Sequence, residues 1–137
     1  IVHGDYRLDN MILKNNEVIG ILDWELSTLG HPIADFSYHC LSWRTQEAFW
    51  DQAKLKELGI PSEKEYMEMY CENSGKDLSK NWEFYMAFNM FKIAGILQGI
   101  LGRVRDGTAA SKHAEERGNM VFPLSQAAWE TIEDNFL

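Results

Sequence analysis

The sequence predicts an α+β fold in which one small β-hairpin near the start is followed by helices. Two short apolar runs flank a polar turn early in the chain, and separate segments with a helical spacing of apolar residues follow from residue 33 onward. No stretch rich in glycine, serine or proline separates these regions, and 137 residues is an ordinary length for one domain or a large piece of one. We therefore expect a mostly helical unit.

The hairpin is predicted from residues 11–14 and 18–22, two apolar-rich runs. Residues 15–17, two asparagines and a glutamate, are of the types that favour a tight turn. The stretch 23–32 has neither a strand nor a helix period and contains a glycine and a proline, so we interpret it as a loop.

Helical spacing returns at residues 33–43. A second helix is predicted to begin at Ser62, because Glu65 stands three residues later and can complete a capping box. We expect this helix to run to about Asn73 and to stop at Gly75.

Two further helices are predicted in the second half of the chain. Residues 81–105 are apolar on nearly every side, which is typical of a long, mostly buried helix, and the pair Asp106 and Gly107 should end it. The last helix should span residues 111–136 with an interruption before Pro123, because a proline ring blocks the local backbone bond.

Composition excludes several classes of partner. The formal charge of -8 at pH 7 would repel a nucleic-acid backbone, so no nucleic acid is expected. The longest uncharged apolar run, residues 93–102, has half of the roughly 20 residues that a membrane span needs. Cys40 and Cys71 lie in helical apolar stretches without metal-ligand spacing, which favours the cytoplasm or another reducing compartment.

Three polar residues have a spacing that points to chemistry. Asn10 follows Asp5 by five positions, Asp23 follows Asn10 by thirteen, and the predicted hairpin lies between the last two. The hairpin can therefore bring all three to one place. Carboxylate and amide oxygens suit Mg²⁺, and a His-x-Asp loop with an asparagine and a second aspartate is the arrangement of ATP-dependent phosphoryl transfer. Asp5 would then accept or orient the hydroxyl proton of the acceptor.

The motifs that carry this spacing resemble a known family. "HGD" at residues 3–5 with Asn10, "ILDWE" at 21–25 and "GHPIADF" at 30–36 are similar to the aminoglycoside phosphotransferase-like (choline kinase-like) family, most closely to its branch joined to acyl-CoA dehydrogenase domains. The resemblance implies the C-terminal lobe of a protein-kinase-like fold, whose hairpin carries the catalytic and metal loops. It also implies ATP and Mg²⁺ as cofactors.

The resemblance also implies roles for single residues. Asp5 would be the catalytic base, and Asn10 and Asp23 would hold magnesium and with it the nucleotide. Asp35 would be a buried aspartate that ties the catalytic-loop backbone to the first helix after the metal loop. His3 is interpreted as structural support rather than as a proton carrier.

Arg7 stands two positions after Asp5, where protein kinases carry a lysine that reaches the γ-phosphate. The resemblance thus implies a catalytic and nucleotide-binding role for Arg7. The alternative is a loop salt bridge to Asp9 or Glu25.

The function implied is ATP-dependent transfer of phosphate to the hydroxyl of a small molecule. Residues 43–50 and the helices after Ser62 should line the acceptor site. Glu47 and Asp51 are too few for the acidic wall that a polycationic aminoglycoside would need, so a hydroxyacyl compound of lipid breakdown is favoured. An aminoglycoside or choline-like alcohol kinase, or a non-catalytic binding module, are the alternatives.

A full phosphotransferase domain of this family also has an N-terminal lobe. No glycine-rich nucleotide loop and no strand-borne lysine precede His3 in this sequence. We therefore expect residues 1–137 to be a C-terminal lobe that is inactive alone, with the missing lobe in the same chain and an acyl-CoA dehydrogenase fused to it or encoded nearby.

Overall fold

The computed structural model describes residues 1–45, 52–78 and 80–137. These residues form two compact units, Ile1–Trp82 and Glu83–Leu137. The strands and helices are β1 Met11–Lys14, β2 Glu17–Ile21, α1 Ile33–Cys40, α2 Gln52–Glu57, α3 Glu63–Ser74, α4 Trp82–Arg105, α5 Ala114–Gly118 and α6 Val121–Phe136. Short 3-10 turns lie at Leu8–Asn10, Trp24–Leu26 and Leu41–Trp43. The predicted α+β class, a small hairpin followed by helices, is confirmed.

The hairpin closes through a tight turn of two asparagines. Asn15 and Asn16 both have left-handed backbone, with φ of 51° and 64°, which asparagine tolerates better than most residues. A turn with two such residues matches the twist of antiparallel strands. A bulge follows, because Ile12 pairs with Gly20 while its neighbour Leu13 pairs with Val18. The strands lie within a residue of the predicted ones.

Helix α3 begins and ends as the sequence predicts. The backbone N–H of Glu65 donates to Ser62 Oγ at 3.3 Å, and the backbone N–H of Ser62 donates to Glu65 Oε2 at 2.8 Å. These bonds lower the pKa of the Glu65 carboxyl. Gly75, with a φ of 67°, supplies the left-handed residue that ends the helix.

Aromatic rings form the core of the first unit. Phe36 of α1 is buried and stacks on Tyr70 of α3, with ring centroids 4.0 Å apart. Trp82 approaches the other side of this cluster at 5.5 Å from Phe36, and its indole N–H donates to Glu63 at 2.8 Å. Helices α1 and α3 are therefore held together by stacked rings.

Helix α4 is less buried than the sequence predicts. Met86 and Met90 are buried, whereas Phe84, Phe88 and Phe91 on another face are each about half exposed. The expectation of a mostly buried helix is therefore wrong. Apolar residues on every side of a helix do not reveal which sides are covered.

By length and composition α4 could also cross a membrane, properties that the core helix of a soluble protein can share. The uncharged run of residues 93–102 covers only part of α4, so it underestimates the length of the apolar helix. That the protein has no membrane span stays a prediction.

Helix α2 and the division of the last helical region add detail to the predicted helices. Helix α2 was not predicted from the sequence. The last helical region is divided into α5 and α6, and Pro123 lies in the first turn of α6, where its missing N–H has no helical partner to lose. The predicted interruption before Pro123 is confirmed.

Candidate active site

The backbone of the N-terminal loop is held by Asp35 of α1. Its two carboxylate oxygens accept hydrogen bonds from the backbone N–H groups of His3, at 2.5 Å, and Gly4, at 2.8 Å. Asp35 is half-buried rather than fully buried, which corrects that detail of the expectation. The contact expected from the resemblance, between Asp35 and the loop backbone, is present.

Gly4 occupies a position that other residues fit poorly. Its φ of 85° lies in the left-handed region, and a Cβ built there would come within 2.6 Å of the carbonyl oxygen of Leu26. Because a glycine adopts this conformation without steric cost, the loop can turn tightly between His3 and Asp5.

The imidazole of His3 links the two loops of the site. Its Nε2 lies 2.7 Å from the carbonyl oxygen of Leu22, and its Nδ1 lies 3.2 Å from the backbone nitrogen of Asp5. The carbonyl requires a donor at Nε2 and the backbone N–H requires an acceptor at Nδ1, which assigns the neutral Nε2–H tautomer. His3 is buried, both of its ring nitrogens are bonded, and its ring lies 4.7 Å from that of Trp24.

The carboxylate of Asp5 is held from two sides. The side-chain amide of Asn10 donates to Asp5 Oδ2 and to the Asp5 backbone carbonyl, both at 2.9 Å. The hydroxyl of Tyr38 donates to Asp5 Oδ1 at 2.7 Å. No motif in the sequence links Tyr38 to Asp5, which lies 33 positions away.

The hairpin brings the backbone just before Asp23 to Asn10. The backbone N–H of Leu22, the residue before Asp23, donates to the carbonyl oxygen of Asn10 at 2.8 Å. Asp23 itself is exposed and has left-handed backbone with φ of 66° and ψ of 51°. Aspartate is among the few residues that adopt this conformation readily.

The donor chemistry of Asn10 and Asp23 fits magnesium. An amide oxygen and a carboxylate are hard oxygen ligands, and Mg²⁺ commonly takes one or two protein ligands together with phosphate and water. The described residues contain no cluster of three or more His, Cys, Asp or Glu side chains suited to a metal.

Arg7 lies close to two carboxylates of its own loop. Its guanidinium is 3.6 Å from Asp5 Oδ2 and 3.6 Å from Asp9 Oδ2, and its side chain is 53% exposed. Ion pairs this exposed contribute little to stability. The geometry fits both a salt bridge to Asp9 and a cation placed beside Asp5.

A series of aromatic rings leads away from the loop that contains Asp5. Tyr6 lies 5.7 Å from His39, His39 lies 5.8 Å from Tyr66, and Tyr66 stacks on Trp43 at 5.4 Å, all measured between ring centroids. Burial lowers the pKa of His39, which favours its neutral form. We call Tyr6, His39, Tyr66 and Trp43 the aromatic track.

Part of the predicted acceptor site lies outside the described residues. Of residues 43–50, the structure describes those up to Thr45, and both Glu47 and Asp51 lie outside the described residues. The carboxylate of Glu63, near the aromatic track, is bonded to Arg44 by contacts of 2.5–3.0 Å.

Comparison with known proteins identifies the family. The model of the phosphotransferase enzyme family matches residues 1–70. Acyl-CoA dehydrogenase family member 10 of Mus musculus is 43% identical over 95% of this chain, and family member 11 of Homo sapiens is 37% identical over 99%. The chain spans 13% and 18%, respectively, of the lengths of these relatives.

A solved structure agrees with this assignment. A protein of Ralstonia eutropha JMP134, provisionally described as an aminoglycoside phosphotransferase, is 45% identical and superposes with a TM-score of 0.83. The match covers 97% of this chain and 42% of that one. With more than half of its residues matched by the family model and its fold shared with this neighbour, the chain belongs to the phosphotransferase enzyme family.

Proposed function

We propose that the chain is the C-terminal lobe of an ATP-dependent phosphotransferase that phosphorylates a hydroxyl group of a small molecule. Family membership supports the general reaction. The observation that carries the proposal is the convergence of two loops, in which Asn10 bonds both to the Asp5 carboxylate and, through its backbone, to the residue before Asp23. One asparagine thus connects the proposed base to the proposed metal loop.

Asp5 is the catalytic residue in this proposal. It accepts the proton of the attacking hydroxyl as the new oxygen–phosphorus bond forms and the bond between the γ-phosphorus and the bridging oxygen breaks, with ADP as the leaving group. The hydrogen bonds from Asn10 and Tyr38 leave Asp5 in a fixed orientation. Arg7, close to Asp5 and half exposed, is suited to pair with a phosphate oxygen.

Asn10, through its Oδ1, and Asp23, through its carboxylate, would hold magnesium. When bound, the cation neutralises phosphate charge and orients the nucleotide. The chain contributes the placement of these two residues, which depends on the bond between the backbones of Leu22 and Asn10.

A hydroxyacyl compound is the acceptor we propose. The aromatic track begins at Tyr6, next to Asp5, and within the part of the chain that the structure describes it offers rings, while the carboxylate of Glu63 is paired with Arg44. Such a surface suits an apolar chain better than a polycation. The relatives named as acyl-CoA dehydrogenases support an acyl compound of lipid breakdown.

The solved neighbour, described as an aminoglycoside phosphotransferase, keeps an aminoglycoside as the second candidate acceptor. A choline-like alcohol, or a binding function without catalysis, would also be compatible with the fold alone.

We further propose that an N-terminal lobe and an acyl-CoA dehydrogenase part belong to the same longer protein. The relatives support this, because the chain corresponds to less than a fifth of their lengths. The two cysteines, both free, support a reducing compartment such as the cytoplasm. Residues 1–137 alone are then expected to be inactive.

The test is an ATP-consumption assay on the full-length protein that contains these residues. ADP release is followed with MgATP and 3-hydroxybutyryl-coenzyme A, choline or kanamycin as acceptor, and with water alone. We expect the hydroxyacyl thioester to be preferred, and Asp5→Asn to lower kcat by roughly 10²-fold or more with little change in the KM for ATP.

Asp134→Asn is the matched control, since Asp134 is an exposed carboxylate near the end of α6. Absence of ADP release under every condition would overturn the catalytic proposal. A kcat within a factor of two after Asp5→Asn would remove Asp5 as the base.

A further inference from the structure

The clearest interaction that the sequence motifs leave unexplained is the hydrogen bond from Tyr38 to Asp5. It is short, at 2.7 Å, and joins residues 33 positions apart. We propose that Tyr38 is a positioning residue whose hydroxyl fixes the Asp5 carboxylate for proton transfer, an inference that rests on the proposed role of Asp5 as the base.

Helix α1 presents Tyr38 and Asp35 on one side. They are three positions apart, so their side chains project from the same face of the helix. Asp35 holds the backbone of the loop at His3 and Gly4, and Tyr38 holds the side chain of Asp5. One face of α1 therefore sets both the path of the loop and the orientation of the carboxylate that the loop carries.

A carboxylate needs such a second contact to be oriented. Rotation about the terminal bond of an aspartate is soft, because its energy wells are broad. Asn10 holds Oδ2 and Tyr38 holds Oδ1, so the plane of the Asp5 carboxylate is defined by a bond to each oxygen. Without Tyr38, Oδ1 loses this 2.7 Å bond.

The surroundings of Tyr38 keep it a donor. Its side chain is half-buried, and desolvation, followed by the bond to Asp5, raises the pKa of the phenol well above its usual range. The hydroxyl thus stays protonated at any physiological pH. Helix α1 is in turn fixed by the stacking of Phe36 on Tyr70, so the donor is supported by a rigid element.

Loss of the hydroxyl should reduce the rate more than binding. Misplacing a reacting group by about 1 Å can cost roughly 10²-fold in rate. Because Asn10 still holds Asp5, we expect Tyr38→Phe to lower kcat by about 10-fold, with the KM for ATP changed by less than about twofold.

The experiment is a double-mutant cycle in the full-length protein. ADP release from MgATP is measured with 3-hydroxybutyryl-coenzyme A and with water alone, for the unmodified protein, Tyr38→Phe, Asp5→Asn and the double variant. If Tyr38 acts through Asp5, Tyr38→Phe lowers kcat in the unmodified protein and has little further effect in the Asp5→Asn background. A merely structural role would lower the rate in both backgrounds and would also lower the melting temperature.

Tyr70→Phe is the matched control, because it removes the hydroxyl of another half-buried tyrosine, one that stacks on Phe36. We expect it to leave kcat unchanged. The outcomes separate the two proposals. If kcat falls with Asp5→Asn but not with Tyr38→Phe, the positioning role alone is overturned. The same holds if Tyr38→Phe lowers kcat equally in the unmodified protein and in the Asp5→Asn background. If Asp5→Asn leaves kcat unchanged, the proposed function and this inference are both overturned.

Discussion

Replacing Asp35 by alanine should weaken the fold at the catalytic loop. The carboxylate accepts two backbone hydrogen bonds, from His3 at 2.5 Å and Gly4 at 2.8 Å. A hydrogen bond to a charged group contributes about 1.5–3 kcal/mol, and an alanine leaves both donors without their acceptor. His3 is buried, whereas Asp35 and Gly4 are half-buried and water can replace part of the loss.

The expected cost of Asp35→Ala is therefore about 2–4 kcal/mol of unfolding free energy, less than two fully buried bonds would give. For a chain of this size, that corresponds to a melting temperature lowered by roughly 10 °C. The unfolding free energy of Asp35→Asn should lie between those of the unmodified chain and Asp35→Ala, because an amide offers one acceptor oxygen where the carboxylate offers two.

The assay is urea unfolding of the chain followed by tryptophan fluorescence, to which Trp24 contributes from beside His3. Amide hydrogen exchange at His3 and Gly4 measures the stability of the loop itself, and its rate should increase in both Asp35 variants. Asp134→Ala, an exposed aspartate of α6, is the control and should change stability by less than about 0.5 kcal/mol. An Asp35→Ala variant with the melting temperature and amide protection of the unmodified chain would refute the reasoning.

Three other predictions concern the site and its surroundings. Asp23→Asn should abolish magnesium-dependent turnover in the full-length protein while preserving the fold, because asparagine tolerates the left-handed backbone at this position, with φ of 66°; unchanged kcat at saturating magnesium would contradict it. Arg7→Met should lower kcat/KM without lowering stability, and Arg7→Lys should recover most of the activity, whereas a folding defect in Arg7→Met would favour the salt bridge to Asp9. Burial lowers the pKa of His39, so below about pH 6.5 the unfolded chain binds a proton that the folded chain does not. The unfolding free energy should therefore fall as the pH decreases from 7 to 5.5. Urea unfolding of His39→Phe should show a smaller decrease over this range, and an equal decrease would show that other groups cause it.

Local signals predicted the hairpin and α3 well. The two asparagines at 15 and 16, the capping box from Ser62 to Glu65, and Gly75 act on neighbouring backbone groups, so a few consecutive residues contain most of the information. The spacing of the polar residues also predicted that the loops before and after the hairpin converge, because a hairpin returns the chain to its starting point.

Contacts between distant segments have no comparable local signal in the sequence. Tyr38 reaches Asp5 because α1 packs against the loop, and nothing near either residue in the sequence indicates this bond. The exposed side of α4 is a similar case, since burial depends on what packs against a helix rather than on its own composition.

The two loops of the site share one support. Gly4 and Asp23 both have left-handed backbone, with φ of 85° and 66°, and such conformations persist where surrounding bonds hold them. His3 lies between them: it accepts from the backbone N–H of Asp5, one residue after Gly4, and donates to the carbonyl of Leu22, one residue before Asp23. A single neutral imidazole, buried and bonded at both nitrogens, thus ties the loop of the proposed base to the loop of the proposed metal ligand. We therefore expect the histidine at position 3 to support both loops through these two bonds rather than to carry a proton.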